Sequence, residues 1–134
     1  MKRDTIFYIP DQVPSSNSVI AALDATGYQV VSTNSPTQAI ALLFVMHPAA
    51  AVVLDQRARE QTTFALARSV RRIRRDVPII VLSREPIDRL PSWVDACLSA
   101  REPLEKLTSM LRMMLNVESV VHDRRLFDCL RQTG

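Results

Sequence analysis

The chain has 134 residues, 47% of them hydrophobic and 23% charged, which is the size and composition of one ordinary globular domain rather than of a disordered or fibrous chain. Seventeen Lys and Arg against fourteen Asp and Glu leave a formal charge of +3, a mild basic excess that permits nucleic-acid contact without arguing for it. Two glycines cannot build a Gly-rich phosphate loop, Cys97 and Cys129 make neither a metal pattern nor a disulfide framework, and no apolar run approaches the ~18 residues of a membrane span. A reducing, cytoplasmic setting without membrane contact is the expectation.

Residues 5–9 (TIFYI) are a β-branched and aromatic run stopped by Pro10, which predicts a buried first strand from whose end Asp11 emerges. Over residues 15–25, Val19, Ile20 and Leu23 recur at helical spacing, with Ser15 or Ser16 to cap the start and Gly27 at the left-handed C-terminal position. Residues 28–33 are a second strand. Asn34, Ser35 and Pro36 then supply a cap and a proline at the first turn of a helix reaching Met46. Residues 49–54 (AAAVVL) are continuously apolar, as a strand covered on both faces by helices must be, and end at Asp55.

Residues 63–75 carry Phe64, Leu66, Ala67, Val70 and Ile73 on one side and arginines on the other, predicting an amphipathic helix. Residues 77–82 (VPIIVL) are another buried strand ending at Ser83. Residues 85–92 hold two prolines and room for at most a helical turn or two. A weak fifth strand follows at 95–99, then a helix over 104–115 with Leu104, Leu107, Leu111 and Met114 at helical spacing, then a further helical segment over 119–130. Strands alternating with helices predict a doubly wound parallel sheet with helices on both faces. Ligands of such sheets bind beyond the carboxyl ends of the strands, so Asp11, Asp55 and Ser83 should converge on one crevice. Carboxylates converging there favour a hard cation such as Mg2+.

That order of residues resembles the response-regulator receiver domain, the flavodoxin-like module that accepts a phosphoryl group on an aspartate. The resemblance spans about residues 5–115 and rests on IFYIPDQ, GYQVVSTNSPTQAIALL, AAAVVLDQ, VPIIVLS and DACLSAREPLEKL. It implies a five-stranded sheet, Asp55 as phosphoacceptor, Asp11 with Asp55 as metal ligands, and Ser83 as switch hydroxyl. It also implies a histidine kinase, phosphotransferase or downstream regulator as partner, and no enzyme activity.

Departures from the family pattern are as informative as the matches. Receivers place two adjacent acidic residues after the first strand, and here the pair is Pro10 and Asp11, so Mg2+ binding should be weak or absent. Ala100 stands where the family has its phosphoryl-pairing lysine, with Arg101 one residue on as the candidate substitute contact. Cys97 stands at the aromatic switch position. The interval from Ser83 to Trp93 is too short for a full helix, so the fourth helix should be shortened, with Trp93 filling the space. We expect a receiver-like unit over 1–116 and a C-terminal helical extension over 117–134, with an extra helix docking on the core or on a second copy. With no room for an effector domain, output should pass through protein contacts, with or without phosphorylation.

Arg68, Arg71, Arg72 and Arg75 share one helix face. The plain reading of that face is a solvated surface. The functional alternatives are a docking face for an acidic partner or, in a flavodoxin-like nucleic-acid-binding module, for phosphates. No aromatic residue interleaves these arginines in sequence, which leaves single-strand stacking without support.

Overall fold

The computed structural model describes residues 4–10, 16–33, 35–45 and 49–122. Asp11, Cys129 and the part of the C-terminal segment beyond His122 lie outside them. Five parallel strands, β1 (Thr5–Pro10), β2 (Gln29–Ser32), β3 (Ala51–Gln56), β4 (Ile79–Ser83) and β5 (Ala96–Ser99), form one sheet in the order β2-β1-β3-β4-β5. The helices are α1 (Ser16–Ala25), α2 (Pro36–Phe44), α3 (Ala65–Ile73) and α4 (Leu104–His122). None of the described helices is long and apolar enough to cross a membrane.

Period-two alternation divides the core between the two faces of the sheet. Ile6, Tyr8, Ala51, Val53, Ile80, Leu82 and Leu98 face the layer that supplies Val19 and Leu23 from α1 and Leu107 and Leu111 from α4. Phe7, Ile9, Val52, Leu54, Ile79 and Val81 face the layer that supplies Ala39 and Leu43 from α2 and Ala67 and Val70 from α3. β3 is buried along its whole length, because it is central and covered on both sides.

Local chemistry sets the element ends. Gly27 takes φ +101°, and the N–H groups of Gly27 and Tyr28 donate to the carbonyls of Asp24 and Leu23 at 3.0 and 3.1 Å. These two bonds close α1 in a Schellman turn that a side chain beyond hydrogen disfavours. Ser35 caps α2 by accepting from the Gln38 N–H at 3.4 Å, ahead of Pro36.

Three expectations need correcting. β3 does not stop before Asp55 but runs through Gln56, pairing Pro10 with Asp55 and Gln56 with Ser83. The expected shortened helix between β4 and β5 is absent, since residues 84–95 cross over in bends and turns; Pro86 and Pro91 each remove a helical donor there. The helix expected over 104–115 continues unbroken to His122, so residues 119–122 extend α4 instead of starting a separate helix.

Candidate functional site

Asp55 lies near the carboxyl end of β3 beside β1, where the strand order reverses, which is the ligand-binding position of a doubly wound sheet. Its side chain is only 4% exposed. A carboxylate so buried must be paired, and the partners are internal. Oδ1 accepts from the Arg57 backbone N–H at 3.1 Å and from Arg57 Nε at 2.9 Å. Oδ2 accepts from Arg57 Nη2 at 2.8 Å and from the Tyr8 hydroxyl at 2.5 Å. These four donors match the roughly four lone-pair positions of a carboxylate, and the paired guanidinium bonds have the strong fork geometry.

Secondary structure builds this arrangement. Tyr8 pairs with Val53 across β1 and β3, so it shares a sheet face with Asp55 two residues on and reaches it along that face. Arg57 opens the turn after β3, and the bond from its N–H to the Asp55 carboxylate is the usual aspartate turn. The buried Gln56 amide then donates to the Thr63 carbonyl at 2.7 Å and accepts from the Thr63 N–H at 2.8 Å, which ties the ends of the turn together. Burial, and then the hydrogen bond to Asp55, push the Tyr8 phenol well above its usual range. The same carboxylate raises Arg57 further, against the opposing effect of burial.

The other predicted residues are placed as follows. Ser83 is buried; its hydroxyl donates to the Glu85 carbonyl at 2.6 Å and lies 3.3 Å from Cys97 Sγ. The two candidate switch residues therefore touch. Burial pushes the Cys97 thiol up, against the lowering effect of Ser83. Ala100 is exposed, and its N–H donates to the Ser83 carbonyl at 2.8 Å. Arg101 pairs with Glu85 at 2.8 Å on the surface. Asp11 lies outside the described residues.

The described donors do not fit Mg2+. Both Asp55 oxygens are engaged by Arg57 and Tyr8, Pro10 stands opposite Asp55 in the register, and no group of three His, Cys, Asp or Glu side chains converges among the described residues. Mg2+ is held by one or two carboxylates and its own waters, and the Asp55 carboxylate is already neutralised by Arg57.

The four arginines do not share one helix face as expected, since α3 ends at Ile73, Arg74 is extended and Arg75 lies in the turn beyond. Arg68, Arg71, Arg72 and Arg75 line an open groove with Ser92 and Trp93. Arg71, which the plain reading leaves in solvent, is a structural clasp. It donates to the carbonyls of Arg75 and Val77 at 2.8 and 2.7 Å and pairs with Asp95 at 2.6 Å, while Asp95 also accepts from the Ile79 N–H at 2.7 Å. The expected absence of aromatics is likewise corrected by the fold. Trp93 donates its indole N–H to the Phe64 carbonyl at 3.1 Å, and the Arg68 guanidinium lies 5.5 Å from the ring centroid.

Sequence reasoning missed Tyr8, Arg57 and Gln56. Tyr8 carried a signal, since a tyrosine inside a buried strand needs a partner for its hydroxyl. Arg57 carried one too, as a cation two residues beyond a strand-end carboxylate.

This architecture is a flavodoxin-like α/β fold, the fold also seen in solved response-regulator receiver domains. A CheY-like receiver domain from Methanospirillum hungatei JF-1 superposes with a TM-score of 0.74 at 13% identity, over 88% of this chain and 98% of that one. The receiver domain of a sensor histidine kinase from Pseudomonas aeruginosa PAO1, described with magnesium coordinated in its active-site cleft, gives 0.72 at 20% identity over 86% and 99%. A response regulator receiver protein from Sinorhizobium medicae WSM419 gives 0.70 at 22% identity over 86% and 96%. No family model matches the chain, and no curated protein is detectably similar to it.

Proposed function

We propose that this chain is a receiver-type adaptor of two-component phosphorelay signalling that works by protein contact without phosphorylation of Asp55. Its partner on this reading is a histidine kinase, a phosphotransferase or a downstream regulator. The observation that carries the proposal is the Asp55, Arg57 and Tyr8 network. An acceptor aspartate needs a free lone pair to attack phosphorus and a cation to neutralise the incoming charge. Here the lone pairs already accept four hydrogen bonds, and the neutralising charge belongs to the protein. A guanidinium stays charged throughout the accessible pH range, so the site does not open by proton loss. Ser83 supports the same reading, because its hydroxyl is committed to Glu85.

The test is incubation of the protein with a small acyl phosphate and Mg2+, followed by intact-mass analysis, with Asp55→Asn as control. The expected result is no phosphoryl adduct on the unmodified chain. An adduct present on the unmodified chain and lost in Asp55→Asn overturns the proposal.

A further inference from the structure

Three of the four crossovers in the sheet carry a helix; the one from β4 to β5 carries none among its described residues. Its covering layer is reduced to Trp93 and Val94, which pack with α2 and α3 on the same side of the sheet. Beside α3 this leaves an open groove of about 570 Å3 lined by Arg68, Arg71, Arg72, Arg75, Ser92 and Trp93. Arg71 is used internally by Asp95 and two backbone carbonyls. Arg68, Arg72 and Arg75 are exposed, and no carboxylate pairs with them among the described residues. Arg68 and Arg72 lie one turn apart on α3, and Arg75 lies in the turn just beyond its end at Ile73.

We infer that this groove is the docking site for an acidic amphipathic helix of a partner protein. The inference rests on the adaptor reading above and supplies the surface that reading needs. Charge selects an anionic occupant, because three guanidinium groups lie along one edge with no carboxylate partner among the described residues. Spacing favours a helix, because carboxylates at i and i+4 on a facing helix repeat at the pitch of Arg68 and Arg72 on α3. The half-buried Trp93 gives the apolar side of such a helix an aromatic wall. Arg68, already lying over the Trp93 ring, occupies a face that a nucleic-acid base would need for stacking. A helix laid beside α3 also completes the layer that the β4–β5 crossover leaves short.

The test uses an alanine-based helical peptide with glutamates spaced i, i+4 along one face and leucines on the adjoining face, titrated against the full chain. Trp93 is the only tryptophan in the sequence, so its emission reports the groove directly. The expected result is a saturable emission change that weakens with salt and is reduced for a peptide of the same composition with scrambled glutamates. Arg72→Ala with Arg75→Ala leaves the Trp93 contacts in place and should weaken binding of a labelled peptide several-fold; adding Arg68→Ala should bring the loss to about tenfold or more.

No saturable response at low salt, or equal affinity in the triple variant, overturns the inference. So does displacement of the peptide by an equally charged short DNA duplex at lower concentration, or self-association that the triple variant abolishes. A phosphoryl adduct on Asp55 sinks the phosphorylation-independent reading while leaving the peptide result standing, and peptide failure leaves the Asp55 result standing.

Discussion

Arg57 and Arg72 are the same side chain in opposite circumstances. Arg57 is 19% exposed and forks onto a buried carboxylate that it cannot leave without stranding a charge. Arg72 is exposed on α3 with no carboxylate partner among the described residues. The first region consumes its charge internally, at the place where a receiver fold ordinarily meets its ligand; the second keeps its charge outward, beside a crossover that has no helix. Within one fold, the carboxylate at the switch point is engaged and a lateral groove is open, and the difference lies in which arginines have counter-charges among the described residues.

Breaking the engaged region should have the largest effect. Arg57→Ala leaves Asp55 buried without its cation and should cost about 3–5 kcal/mol in a denaturant or thermal melt. Added Mg2+ should then recover part of the melting temperature of the variant and leave that of the unmodified chain unchanged. If Mg2+ raises both equally, Arg57 does not occupy the cation's role.

Tyr8→Phe removes one hydrogen bond to a charged group and should cost about 1.5–3 kcal/mol. That cost depends on pH. The folded-state phenol is raised above its ordinary value of about 10, so its contribution is fully present below that value and is lost as pH rises through the raised one. Paired melts of the unmodified chain and the Tyr8→Phe variant should show a constant gap up to about pH 10, the ordinary phenol value, and a shrinking gap beyond it. A gap that shrinks nearer neutrality contradicts the network.

The smallest effects sharpen the contrast inside the arginine face. Arg71→Ala should cost about 1–2 kcal/mol because it unpairs two carbonyls and Asp95, whereas Arg72→Ala should stay within about 0.5 kcal/mol. Equal losses at the two positions, read from urea midpoints, would erase the distinction between clasp and open surface.

Much of the fold was legible because burial on both faces leaves an unmistakable trace. AAAVVL and VPIIVL read as central strands, and they are. Gly27 and Ser35 read as helix punctuation, and each acts as such through named hydrogen bonds. Less legible were the ends: β3 continues through Asp55 and Gln56 because both polar side chains find internal partners, and periodicity counts only apolar ones. Asp55 was visible as the carboxylate at a strand end, but its state was not, since that depends on Tyr8 from another strand. The meeting of Trp93 with Arg68 was hidden for the same reason, being a contact across the chain that no local pattern encodes.

The Gln56 amide that grips both backbone groups of Thr63 makes the intervening stretch a closed ring without a covalent bond. Closing so short a loop restricts where its first residue can wander, so the Arg57 side chain starts close to its target and loses less freedom on reaching it. A single neutral side chain thereby lowers the entropic cost of an ion pair it does not touch, and Gln56→Ala should loosen the Asp55 site without altering any of its charges.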